Sequence, residues 1–159
     1  VSKKGEVEII NVPHAIRLKV SGGGAISEAM LKKANQVIEE MTASFVAVLR
    51  VEIDKMAALS EDAKTAADKS ALVEQIFEVS HDLRGQASTF DFPLVTRIGS
   101  SLCRFVEAAD LSDTRAQEVI DAHINSMKLV VVQDLRGDGG AAGQKIATGL
   151  EIAAKKVLG

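Results

Sequence analysis

The 159-residue chain has no tryptophan, no tyrosine, one cysteine, two prolines and three histidines. Without Trp or Tyr, and with only five Phe, it offers no aromatic platform on which single-stranded nucleic acid would stack. Nineteen basic against 22 acidic residues leave a formal charge of −3, and a nucleic-acid binder carries a basic stripe instead. The lone Cys103 excludes an internal disulfide and suits a reducing compartment. No apolar run reaches the ~18 residues that span a bilayer, and no charged-then-apolar leader opens the chain. The expectation is a cytoplasmic protein with neither nucleic acid nor membrane as partner. Three scattered histidines and one cysteine form no H-x-x-x-H or C-x-x-C spacing, so no metal site and no assembled hydrolytic centre are expected.

What is present is a composition of 47% apolar and 26% charged residues, ordinary for one globular domain with a sizeable core. Residues 1–24 read as an arm. Val7–Glu8–Ile9–Ile10 is β-prone, Val12–Pro13 forces extended or turn geometry, and His14 is an ordinary arm residue. Ser21–Gly22–Gly23–Gly24 lacks the Gly-Lys-Ser/Thr ending of a phosphate cradle and reads as a flexible linker.

From residue 25 onward the period is helical. Met30, Ala34, Val37, Met41, Phe45, Val48 and Met56 recur at threes and fours over 26–59. Ser27 is the N-cap, and Ser60–Glu61–Asp62 is the expected break. A second helix covers about 66–90. Asp91–Phe92–Pro93 turns the chain, with Pro93 in the first turn of a helix over 93–109. Val95, Ile98, Leu102, Phe105 and Val106 share one face of that helix, and Cys103 flanks it as a packing residue. Leu111–Ser112–Asp113 opens a helix over 114–136, where Ala116, Ile120, His123, Met127, Val130 and Val131 align, making His123 a core histidine. Arg136–Gly137–Asp138–Gly139–Gly140 ends it. A last helix over 141–158 carries Ile146, Leu150, Ala154 and Val157. Each apolar stripe must be covered by another. The expected fold is therefore all-α: an antiparallel four-helix bundle of 26–59, 66–90, 93–109 and 114–136. To it are added the N-terminal arm and an extra C-terminal helix within the domain 25–159.

The informative stretch is the second helix. Leu72, Ile76, Val79, Leu83, Ala87 and Phe90 fall on one stripe, the buried face. His81 points the opposite way, together with Glu74, Phe77, Arg84, Gly85 and Ser88. Arg84 is at i+3 and shares a face with His81. Gly85 costs roughly 1 kcal/mol in a helix interior relative to Ala, which suits close approach by another molecule. An outward imidazole beside a cation and small residues can carry a phosphoryl group, the ring nitrogen as nucleophile and the cation offsetting phosphate charge. Asp82 lies off the His81 face and is not read as its orienter.

His81–Asp82–Leu83–Arg84–Gly85, followed by Gln86–Ala87–Ser88–Thr89–Phe90, resembles the H-x-[LI]-[KR]-G signature of histidine-containing phosphotransfer (HPt) domains. The likeness continues through Phe92–Pro93–Leu94–Val95–Thr96–Arg97–Ile98 and Ser101–Leu102–Cys103–Arg104. It is similar to free-standing HPt proteins of alphaproteobacterial type and spans about residues 25 to 136. The resemblance implies a phosphocarrier rather than an enzyme, in which His81 is the phosphoacceptor and Arg84 steadies the phosphoryl oxygens. The implied partners are response-regulator receiver domains and a hybrid histidine kinase. They would dock over Phe77, Glu78, Gly85 and Ser88, with Ser100 and Ser101. No cofactor is implied for this chain, since the Mg²⁺ belongs to the receiver. The family often has a Gln on the next helix near the His. None stands between Asp91 and Ala116, and Ser100, Ser101 and Cys103 all remain candidates for that place. An alternative is an HPt-like interaction module that binds receivers or kinases without transfer.

Overall fold

Ser27 starts the first helix as its capping residue, its hydroxyl accepting from the Met30 amide at 3.2 Å. The computed structural model describes residues 27–159. The arm, including Val12–Pro13, His14 and the Gly-rich linker, lies outside the described residues. The described residues are all-helical apart from short connections. They comprise α1 (Glu28–Thr65), α2 (Ser70–Ala87), α3 (Pro93–Ala108), α4 (Thr114–Val132) and α5 (Gly140–Leu158), with a 3₁₀ turn at Ser88–Phe90. The chain divides into two compact units, Val1–Glu39 and Glu40–Gly159. In the first, residues 28–39 are helical and exposed throughout. In the second, one core is shared by all five helices.

α1 departs from the sequence expectation in two ways. First, it does not stop at Ser60–Glu61–Asp62. Ser60 is 1% exposed, and its hydroxyl donates to Asp121 Oδ1 at 2.6 Å while accepting from Gln117 Nε2 at 2.7 Å. A serine satisfied across the core has no need to cap a new helix, so α1 runs on to Thr65. Second, its buried face is Phe45, Leu49, Ile53, Met56, Ser60 and Ala63. Met30, Val37, Met41 and Val48, expected on that face, are exposed. Two apolar stripes run along this helix, and only one is buried.

The remaining elements follow their local signals closely. Asp113 caps α4 by accepting from the Arg115 amide at 2.9 Å, and the Arg115 guanidinium, which donates to the same carboxylate, acts first and the amide second in holding that carboxyl below the usual range. Pro93 occupies the first turn of α3, where its missing N–H costs nothing. Phe92 before it is fully buried, with the Arg136 guanidinium 4.2 Å from its ring centroid. α4 ends at Val132, short of residue 136, and Asp134, Gly137 and Gly139 take positive φ to turn the chain. Gly139 and Gly143 are needed there: a Cβ would meet Leu94 Cδ2 at 2.7 Å and Asp138 O at 2.8 Å, respectively.

α5 packs in cis, on α3 and α4. Arg97 of α3 holds it: Nε and Nη2 donate to Glu151 at 2.8 and 2.9 Å, Nη1 to Gln144 at 2.6 Å, and Nη2 to Thr148 at 3.2 Å. The Arg97 bond keeps the Glu151 carboxyl below its ordinary range.

Candidate functional site

The phase of α2 determines what the site can present. Ile76, Val79, Leu83 and Ala87 are buried, and Leu72 and Phe90 are half-buried. The His81 side chain is 52% exposed. Gly85 and Ser88 are exposed beside it, with Phe77 and Arg84 half-buried. The Phe77 ring lies 6.0 Å from the imidazole, tilted by 35°, and shields one edge of it. A Cβ built at Gly85 would meet nothing within 4 Å, so the space over this turn is open. Among the described residues Arg84 forms no ion pair, and its guanidinium remains available to an anion. Asp82 comes nearer than the helical phase implied: its Oδ1 is 3.7 Å from His81 Nδ1, too long for a hydrogen bond.

α3 supports this face from one side. Ser80 Oγ donates to the Gly99 carbonyl at 3.3 Å, and Thr96 Oγ1 donates to the Arg84 carbonyl at 3.0 Å. Cys103 Sγ lies 4.0 Å from the Phe77 carbonyl. As residue number rises along α2 the partner number falls along α3, so the two helices run in opposite directions. They meet without a gap because residue 99 is glycine. A Cβ there would sit 3.3 Å from both Arg84 Cβ and Ser80 Oγ. Burial pushes the Cys103 thiol up, away from reactive thiolate.

The three α3 candidates separate by what they touch. Ser100 is half-buried, its hydroxyl donating to the Thr96 carbonyl at 2.7 Å. Cys103 packs against the backbone of the Phe77 turn. Ser101 does not join the His81 face: it is 4% exposed, and its hydroxyl lies 3.0 Å from His123 Nε2. The position following Ser100 is rotated by about 100°, which carries it into the core. His123 is 0% exposed. Its Nδ1 lies 2.8 Å from the Val119 carbonyl, which assigns the proton to Nδ1 and leaves Nε2 to accept from Ser101. Burial pushes its pKa down, partly opposed by the Val119 bond. The same residue type is thus a neutral core member on α4 and an outward side chain on α2.

Sequence reasoning missed Thr96, Gly99 and Ser80, the small residues that seat α3 against α2. The available signal was Gly99 itself, a helix-interior glycine beside an apolar face, open to the same question asked of Gly85. On the other flank of α2 lies a groove of about 380 Å³, lined by Phe45, Val48, Glu52 and Lys55 of α1 and by α2 residues including Glu78, Val79, Asp82 and Leu83. Among the described residues no helix is long and apolar enough to cross a membrane. Comparisons with protein-family models, curated proteins and solved structures found no match to this chain.

Proposed function

We propose that this chain is a phosphorelay intermediate of histidine-phosphotransfer type, with α1–α4 as an antiparallel four-helix bundle and α5 as an addition to it. It would accept a phosphoryl group on His81 from a receiver domain or hybrid histidine kinase and pass it reversibly to a response-regulator aspartate. The observation that carries the reading is the outward, half-exposed His81 on a packed helix. Among the described residues Arg84, three residues later, forms no ion pair, and Gly85 leaves open space beside it.

In the proposed step, neutral His81 attacks phosphorus in line through Nε2. The P–N bond forms as the P–O bond to the partner's aspartate breaks, and that electron pair leaves with the carboxylate. Arg84 steadies the equatorial oxygens, and Gly85 and Ser88 keep the surface low enough for a protein to approach. The Mg²⁺ and the phosphorylated aspartate belong to the receiver, so this chain supplies positioning, the larger contribution in phosphoryl transfer.

The test is phosphotransfer profiling against the receiver domains of the source organism, wild type beside His81→Gln. The expected result is an acid-labile, base-stable label that His81→Gln abolishes while circular dichroism stays unchanged. Label that survives the substitution rejects His81. Tight receiver binding without transfer in either direction favours an interaction module instead.

A further inference from the structure

The early turns of α1 carry an apolar stripe that lies exposed. Met30, Ala34, Val37 and Met41 follow one another at spacings of four, three and four. That is the repeat of a coiled-coil seam, with Met30 and Val37 at d and Ala34 and Met41 at a. Leu31 and Ile38, at e, widen the seam. All six are exposed, the large ones from Val37 at 48% to Met30 at 65%. A contiguous exposed apolar surface of this kind marks an interaction site. None of the six lines the groove beside His81, and the first buried residue of α1 is Phe45. The stripe therefore has no part in the proposed transfer site.

We infer that residues 30–41 of α1 are a self-association surface, and that its occupant is the same stripe of a second copy of this chain, running antiparallel. The flanking charges select both the occupant and the direction. Lys33, near the start of the stripe, and Glu40, near its end, both stand at g. Among the described residues Lys33 forms no ion pair. In a parallel pair each g residue faces the e position of the next heptad, so Lys33 would face Ile38 and Glu40 would face Phe45, with no charge matched. In an antiparallel pair g faces g. The register that sets Ala34 against Val37 of the second copy, and Met30 against its Met41, also sets Lys33 against its Glu40 and Leu31 against its Ile38. Every apolar position then meets an apolar one, every cation at g meets a carboxylate, and the two-fold axis repeats each contact. The seam is about 18 Å long. It belongs with the small interfaces of under ~1,200 Å² in total, whose association is weak and concentration-dependent.

The experiment is analytical ultracentrifugation of the full chain from about 1 μM to about 1 mM, with circular dichroism to verify that each variant is folded. Wild type should pass from monomer to dimer across that range. Val37→Asp, which sets a carboxylate in the seam, should stay monomeric. Lys33→Glu alone and Glu40→Lys alone each place like charges against one another twice, and each should weaken the homodimer about tenfold at low salt, less at high salt. Mixed one to one, the same two variants restore both opposite-charge pairs and should form a heterodimer as tight as the wild-type dimer. A chain that is monomeric throughout overturns the inference and leaves the stripe to residues 1–26 or to a different protein. A dimer that survives Val37→Asp places the contact elsewhere and overturns it too. A mixture that associates no better than its components overturns the antiparallel register and with it the assignment. Because the readout is mass, none of these results bears on phosphoryl transfer to His81.

Discussion

Two glycines inside helices give the most direct check on the packing described here, because helix propensity treats them alike and their surroundings do not. Replacing an interior Gly by Ala gains about 1 kcal/mol from propensity alone. At Gly85 a methyl group meets nothing within 4 Å, so Gly85→Ala should gain that full amount. With an m-value of about 2 kcal/mol/M, the urea midpoint rises by about 0.5 M. At Gly99 the methyl meets Arg84 Cβ at 3.3 Å, Ser80 Oγ at 3.3 Å and the Ser80 carbonyl oxygen at 3.4 Å. Two of these atoms are anchored to the α2 backbone, and the third already donates to the Gly99 carbonyl. The helices must separate by a few tenths of an ångström, at an overpacking cost of about 1–3 kcal/mol. Gly99→Ala should therefore lie between no change and a loss of about 2 kcal/mol, set by those two terms. Gly99→Leu should lose more. The assay is urea unfolding of all three variants followed by circular dichroism. A Gly99→Ala protein stabilised as much as Gly85→Ala would refute the close approach of α2 and α3.

Other perturbations test other parts of the fold. Leu83→Ala, which empties a side chain 4% exposed, should cost roughly 2–4 kcal/mol in denaturant unfolding, and a negligible loss would mean that the phase of α2 is wrong. His123 is held neutral by burial, its folded pKa depressed below the ordinary value of 6.5. The unfolded chain then binds more protons in the interval between the two values, so stability should fall as pH drops below about 6.5. His123→Gln should flatten that part of the profile, measured by urea melts from pH 7.5 to 5. Arg97→Ala removes the bonds to Glu151, Gln144 and Thr148 together. Because the Arg97–Glu151 pair is about one-third exposed, the stability cost should be about 1 kcal/mol. Limited proteolysis should then cut earlier in the 133–139 connection or within α5, and an unchanged cleavage pattern would argue against the latch.

Helix phase was legible in the sequence wherever a helix has a single apolar stripe. α2 is one such case: Ile76, Val79, Leu83 and Ala87 turn inward, and the same spacing sends His81 outward without reference to any other element. α4 is another, and its period alone placed His123 in the core. Caps and turns were similarly local, as at Ser27, Asp113 and Pro93. Tertiary structure decided what local pattern leaves degenerate. α1 has two apolar stripes, and only its packing partners select Phe45, Leu49, Ile53 and Met56 over Met41 and Val48. Ser60 has a hydroxyl that could begin a helix or cross the core, and Asp121 and Gln117, some sixty residues away in the chain, determine which. Ser100 and Ser101 are adjacent and chemically identical, yet one lies half-buried with its hydroxyl on the Thr96 carbonyl of its own helix and the other bonds to His123. That division depends on the rotation of α3 about its axis, which is set by the fit of Gly99 against Ser80 and Arg84. Periodicity specifies a face relative to its own helix, whereas the identity of the neighbour, and the groove left open beside His81, come from long-range packing.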